Sequence, residues 1–140
     1  AVMRARHAWA ARHVVALTAR YTFQRVVDRT TPGTSTYGKQ LAYTPVHSGG
    51  VSVAYENPWV NLATYVNAVA ERFSLPSHIA GTRLPPYAEW GAALYRDLRL
   101  GPVWVSLRLD VTNLADRQYE VVANYPMPGR AYALSVGLKW

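Results

Sequence analysis

The chain has 140 residues, about one ordinary domain, and half of them are hydrophobic, yet no apolar run approaches the roughly twenty residues that a membrane-crossing helix needs. Fifteen Lys and Arg against eight Asp and Glu leave a net charge of +7, but the basic residues are nearly all arginines scattered singly from Arg4 to Lys139, which argues against a phosphate-gripping nucleic-acid surface. With no cysteine there is no disulfide framework, no thiolate nucleophile and no Cys-based zinc site.

The chain opens Ala1-Val2-Met3-Arg4, without the charged and then apolar pattern of a secretory leader, and is expected to be a fragment whose beginning lies upstream. Val2 to Trp9 reads as a first strand, with a tight turn over Ala10 to His13. Val15, Leu17, Ala19, Tyr21 and Phe23 then alternate with Ala16, Thr18, Arg20, Thr22 and Gln24, a period of two that predicts a long strand between unlike environments. A long connection from Asp28 to Val46 follows, then a short strand pattern over Val51 to Tyr55 and a tight turn at Glu56-Asn57-Pro58. Val60 to Ala70 and Tyr87 to Tyr95 are noisier strands, separated by a second long connection over Ser74 to Leu84.

The turn predicted over Asp97 to Pro102 leads into Val103, Val105, Leu107, Leu109 and Val111, alternating with Trp104, Ser106, Arg108, Asp110 and Thr112. A third long connection spans Leu114 to Gly129, and the last strand sets Tyr132, Leu134, Val136, Leu138 and Trp140 against Ala133, Ser135, Gly137 and Lys139. Tight and long connections therefore alternate, as on the two rims of an outer-membrane barrel. Fifteen of the seventeen aromatic residues are Tyr or Trp, and Trp9, Trp59, Tyr95 and Trp140 are expected at strand ends, where amphipathic rings suit a membrane interface.

Leu107 to Tyr119, containing Asn113-Leu114-Ala115-Asp116 and Tyr119, followed by Pro128-Gly129-Arg130, resembles the end of TonB-dependent receptors. Leu41 to His47 and Leu84-Pro85-Pro86-Tyr87 are similar to the segments that lead that family's chains into inward-running strands. Tyr132, Leu134, Val136, Leu138 and Trp140 resemble the terminal signal read by the barrel-assembly machinery, although Ser135 stands where that signal usually has Gly. Physically, Gly129 is expected at positive φ with Pro128 fixing the φ before it, and Asn113 and Asp116 are expected to bond nearby backbone where ladder pairing stops.

Other chemistry leaves no trace. His7, His13, His47 and His78 form no His-x-x-x-His pair, no metal or cofactor site emerges, and Ser48-Gly49-Gly50 lacks the flanks of a nucleophile elbow. Arg108 and Asp110 are expected to be lumen charges in a ladder with neighbouring strands, not a catalytic pair.

The expectation is thus an all-β, antiparallel transmembrane β-barrel segment of about six or seven strands, residues 1–140 being the C-terminal portion of a larger barrel in the bacterial cell outer membrane. The resemblance implies twenty-two strands in the parent, a plug domain absent from this chain, and uptake of a large scarce solute such as an iron-siderophore or cobalamin, energised by the TonB complex through that plug. Its other partners would be outer-membrane lipid and the barrel-assembly machinery, with no nucleic acid and no enzymatic activity. Val15, Leu17, Tyr21, Phe23, the Val103 to Val111 stripe and the Tyr132 to Leu138 stripe would face lipid. Arg20, Gln24, Glu89, Arg108, Asp110, Ser135 and Lys139 would face the lumen. Ligand contacts would come from Asp28 to Val46, Ser74 to Arg83 and Ala115 to Met127. The alternatives are a soluble β-sandwich or small-barrel ligand-binding domain, in which the apolar faces meet in a core, and an eight-stranded membrane barrel complete in itself.

The terminal stripe yields a direct test. Expressed with an outer-membrane signal peptide, the chain should be recovered in the outer-membrane fraction with heat-modifiable gel mobility, and Trp140→Ala should lower that recovery severalfold. A soluble, monomeric, cooperatively folding product indifferent to Trp140 would refute this reading.

Overall fold

A strand with one apolar and one polar face is stable where its backbone groups are paired on both flanks and its two faces meet different surroundings. The computed structural model of the chain, which describes residues 1–10 and 13–140, is built this way. Seven long strands form one antiparallel sheet, each lying beside its sequence neighbour: β1 (Val2–Ala10), β2 (His13–Phe23), β3 (His47–Glu56), β4 (Asn61–Val69), β7 (Tyr87–Leu100), β8 (Val103–Thr112) and β11 (Ala131–Lys139). Four short strands, β5 (Arg72–Phe73), β6 (Arg83–Leu84), β9 (Glu120–Val122) and β10 (Tyr125–Pro126), pair as β5 with β6 and β9 with β10 inside two of the long connections. No helix occurs among the described residues.

Register settles the faces. One cross-strand row runs through His7, Val15, Tyr55, Leu62, Leu94, Leu109 and Leu134, and the next through Leu17, Val53, Thr64, Ala92, Val111 and Tyr132. The apolar stripes of β2, β8 and β11 therefore fall on a single face, and that face is uncovered: Leu134 is 72% exposed. Only Leu84 and Ala93 are buried hydrophobic side chains among the described residues. An apolar surface of this extent is what a hydrocarbon solvent would cover, and it is incompatible with a sandwich core formed within these residues. Its hydroxyl at mid-face, on Thr64, donates to the Gly91 carbonyl at 3.0 Å and takes the Trp90 indole N–H at 2.7 Å, and Arg96, opposite Leu107, places a guanidinium on the same face.

Several boundaries differ from the sequence reading. β7 runs on to Leu100, so Asp97 to Leu100 are strand and the turn is only Gly101-Pro102, with Gly101 at φ 61°. Asp97 reads as a turn residue because it is acidic, but it sits opposite Ser106 and accepts that hydroxyl at 2.7 Å. β3 starts at His47, because Ser48-Gly49-Gly50 pairs on both sides despite lacking any apolar pattern. Tyr95 is not at a strand end; it lies within β7, opposite Asn61 and Arg108. Gln24 stands just past β2, its N–H donating to the Val46 carbonyl at 2.9 Å. The turn expected over Ala10 to His13 falls on residues 11 and 12, outside the described residues.

The turn between β3 and β4 is closed by Asn57, whose Oδ1 accepts the Trp59 and Val60 N–H groups at 2.9 and 3.1 Å. Tight turns thus gather at one end of the sheet, together with Trp140, and the three long connections at the other, together with Ala1, whose amino group donates to the Tyr21 carbonyl at 2.7 Å.

Gly91 is buried in β7 under the Tyr65 ring, and a Cβ built there would overlap that ring. Gly91→Val should displace Tyr65 and lower the unfolding free energy by about 2 kcal/mol, and adding Tyr65→Ala should recover part of that loss. Gly137→Ala, whose Cβ would meet only Ser106 Cβ at 3.6 Å, serves as the neutral control in the same urea-unfolding measurement.

Candidate functional site

The face opposite the apolar one carries most of the polar residues of the long strands. Arg20, Gly50, Asn67 and Glu89 form one cross-strand row, and Thr18, Ser52, Tyr65 and Gly91 the next. Arg20 Nη2 donates to Asn67 Oδ1 at 2.5 Å, reaching over Gly50, where a Cβ would stand 2.7 Å from that same oxygen. A glycine is needed there because the bridge crosses the whole width of β3. A shallow hollow of about 230 Å³ opens at this point, lined among others by Thr18, Arg20, Tyr65 and Asn67.

Further along the same face, Arg108 binds Asp110 with two parallel bonds, Nε to Oδ2 and Nη2 to Oδ1, both 2.7 Å. The ladder with neighbouring strands expected for this pair is not formed; the charges close on each other along β8, two residues apart, because a bidentate arginine fork matches that spacing. Ser135 faces Arg108 across β11, and Lys139 lies at the far end opposite Trp104, over whose ring Arg99 sits at 5.6 Å. Arg20, Glu89, Arg108, Asp110, Ser135 and Lys139 therefore share a face but do not converge, and no group of three or more potential metal ligands occurs among the described residues. This is a polar wall of laterally paired and scattered side chains.

The long connections converge over one end of the sheet. Lys39 Nζ donates to the Ser77 carbonyl at 2.5 Å, His78 Nε2 meets the Gln40 carbonyl at 2.7 Å, and Tyr43 N–H donates to the Phe73 carbonyl at 2.7 Å, joining the first connection to the second. Arg72 joins the second to the third. Only 5% exposed, it donates from Nη2 to the carbonyls of Glu120 and Val121 at 2.7 and 3.0 Å and lies 5.3 Å from the centre of the Tyr87 ring, itself stacked on Tyr119 at 4.4 Å. Burial, and after it the nearby Glu89 carboxylate, hold the Tyr119 hydroxyl above the usual phenol pKa, so it is a neutral donor at physiological pH. Nothing in the sequence singled out Arg72; a lone arginine after a strand carries no pattern, and its role depends on a contact nearly fifty residues away.

Between the β5–β6 and β9–β10 hairpins lies a cavity of about 900 Å³, with Tyr43, Arg83, Gln118, Tyr119, Asn124 and Tyr125 in its wall. Its size suits a large solute, and its rings, amides and hydroxyls supply both stacking and hydrogen bonding.

In comparison with known proteins, the family described as "TonB dependent receptor-like, beta-barrel" matches residues 3–114, four-fifths of the chain. No curated protein matches it.

The motif residues of the third connection are held by local geometry. Asn113, 3% exposed at φ 47°, donates from Nδ2 to the carbonyls of Arg117 and Pro128 at 2.8 and 3.1 Å and accepts the Arg117 N–H at 2.9 Å. Leu114 N–H donates to the Trp90 carbonyl, Met127 N–H to that of Tyr119, and Asp116 Oδ1 accepts the Arg130 N–H at 2.8 Å. Gly129 was expected at positive φ, but that conformation falls instead to Asn113, Asp116 and Asn124. Gly129 is needed for space: a Cβ there would stand 2.8 Å from Asp116 Oδ1, the oxygen that receives Arg130. Asn113→Ala leaves three backbone groups without partners and should destabilise the connection by about 3 kcal/mol. Limited proteolysis of the intact receptor should then cut between residues 114 and 130 at least tenfold faster (~10-fold for each 1.4 kcal/mol), with Asn113→Asp intermediate.

Proposed function

Because the chain belongs to the TonB-dependent receptor-like β-barrel family of the bacterial outer membrane, we propose that it is the C-terminal portion of the barrel wall of a receptor that takes up a large, scarce solute, of the kind of an iron-siderophore or cobalamin. In this reading the uncovered apolar face meets lipid. The face of Arg20, Glu89, Arg108, Asp110, Ser135 and Lys139 lines the lumen, against a plug that couples to the TonB complex, with Gln24 at its rim. The observation that carries the reading is the seven-stranded antiparallel meander itself, with one largely apolar exposed face, tight turns at one end and long, mutually bonded connections at the other.

Each part of the chain then has a task. Tyr132, Leu134, Val136, Leu138 and Trp140 present the strand that the barrel-assembly machinery reads. The Arg20–Asn67 bridge and the Arg108–Asp110 pair keep the lumen wall wet, while Arg96, opposite Leu107, is a charge on the lipid side. The hairpins over residues 72–84 and 120–126 hold the solute in the 900 Å³ cavity between them, where neutral hydroxyls and amides exchange for its hydration shell. Transport energy comes from outside the barrel wall, which has no step of bond chemistry to perform.

The test is uptake by the intact receptor. With labelled iron-siderophore complexes and labelled cobalamin as probes, at least one should accumulate in a TonB-dependent manner. Gln118→Ala with Tyr125→Ala should weaken its binding about tenfold, the worth of one good aromatic contact together with a hydrogen bond. Surface levels should be unchanged. Uptake indifferent to both substitutions would remove this cavity from the solute path.

A further inference from the structure

Past β2 the chain does not break its path. The amides of Gln24, Val26 and Asp28 all donate to the same flank, to Val46 O, Gln40 Oε1 and Lys39 O at 2.9, 3.0 and 2.9 Å, and Val27 bridges to Gln40. The two-residue alternation therefore continues beyond Phe23. Residues 25, 27 and 29 project to the side of Tyr21 and Phe23, which is the apolar side of the sheet. At the outer end of that side Tyr21 hydroxyl and His47 Nδ1 meet at 2.7 Å, and the Phe23 and His47 rings lie 5.4 Å apart, the composition of an interfacial belt. Arg25 follows about 7 Å further along the chain.

Beyond this belt lies a hollow of about 520 Å³ lined by Arg25, Val27, Arg29, Tyr37 and Gly38. It closes because Gly38, at φ 75°, donates to the Asp28 carbonyl at 2.7 Å and folds Tyr37 back beside the arginines. Neither Arg25 nor Arg29 has an ion-pair partner among the described residues. The acids of the long connections are engaged elsewhere. Asp28, on the opposite side of the extended segment, accepts from Thr36 Oγ1 at 2.6 Å and Thr30 N–H at 2.8 Å, contacts that hold its carboxyl below the usual range. Glu71 takes Arg83, Asp116 takes the Arg130 amide and Glu120 takes the Asn124 amide. Two guanidinium groups and a phenol thus share a concave surface that no carboxylate lines, just above an apolar wall.

We propose that this hollow binds the anionic, phosphate-bearing headgroup of a lipid in the outer leaflet, with Arg25 and Arg29 holding the phosphate and the acyl chains lying on the apolar face of β2 and β3. The site rests on the barrel-wall reading, which sets that face against lipid. Phosphate is the group that suits two planar forks, since each arginine presents parallel donors to a pair of its oxygens. The position at the membrane boundary favours a headgroup over a solute drawn through the lumen, because the arginines project away from the polar face.

The intact receptor, purified in mild detergent, should retain phosphate-bearing lipid, and Arg25→Gln with Arg29→Gln should lower the retained amount about tenfold, as expected for the loss of two surface cations. In nanodiscs the wild type should melt at higher temperature in phosphatidylglycerol than in phosphatidylcholine, and the double variant should lose that difference while keeping its heat-modifiable mobility. Equal lipid retention by wild type and variant would overturn the proposal. So would stabilisation by inorganic phosphate that matches the phosphatidylglycerol effect, which would make the site one for a soluble anion. Failure of the wild type to reach the outer membrane at all would sink the barrel reading first, and is seen separately in the fractionation.

Discussion

Everything in this molecule follows from the need to pair every backbone amide and carbonyl of a strand that has hydrocarbon on one side. Water cannot satisfy a stray N–H there, so each strand must find partners on both flanks, and the antiparallel meander gives them in order along the chain. Once pairing is continuous, register has no freedom: a slip of one residue in β8 would move Leu107 and Leu109 to the polar face and Arg108 and Asp110 to the apolar one. The cost of that slip, two charges desolvated and a five-residue apolar stripe wetted, is what holds the rows in line.

The same constraint explains where glycine and polar contacts are placed. Side chains on the polar face cannot pack into a conventional core, since almost nothing on that face is buried, so they secure one another laterally. Arg20 reaches Asn67 only because Gly50 leaves the path clear, and Tyr65 lies flat only because Gly91 does. Both glycines lie on the polar face of their strands. Among the described residues, β1 and β11 each keep one unpaired edge.

These two features set what could be read from the sequence. β2, β8 and β11 are legible because their two faces differ at nearly every position, and the tight turn at Asn57 is legible because Asn and Pro have local preferences. β3 was half hidden: Ser48, Gly49 and Gly50 bear no pattern, and only pairing to β2 and β4 makes them strand. The end of β7 was missed because Asp97 and Arg99 look like turn residues when the polar face on which they lie is not in view. Pro128-Gly129-Arg130 was recognised as a motif but not for its physical reason, which is the close approach of Asp116 and not a left-handed backbone. Arg72 was illegible altogether, its meaning lying in carbonyls of another connection.

The connections at the outer end are stabilised differently from the sheet, and this bears on binding. They bury Leu84 and little other apolar surface, so hydrophobic packing cannot fix them; Arg72, Asn113, His78 and Lys39 do so through hydrogen bonds to backbone carbonyls. Such bonds contribute about 1 kcal/mol each and are exchanged for solvent without a large barrier. The cap is therefore an assembly of low local stability on a wall of high stability. The carbonyl contacts of Arg72 join the two hairpins beside the 900 Å³ cavity, and one hairpin can open against the other there while the strands beneath keep their register.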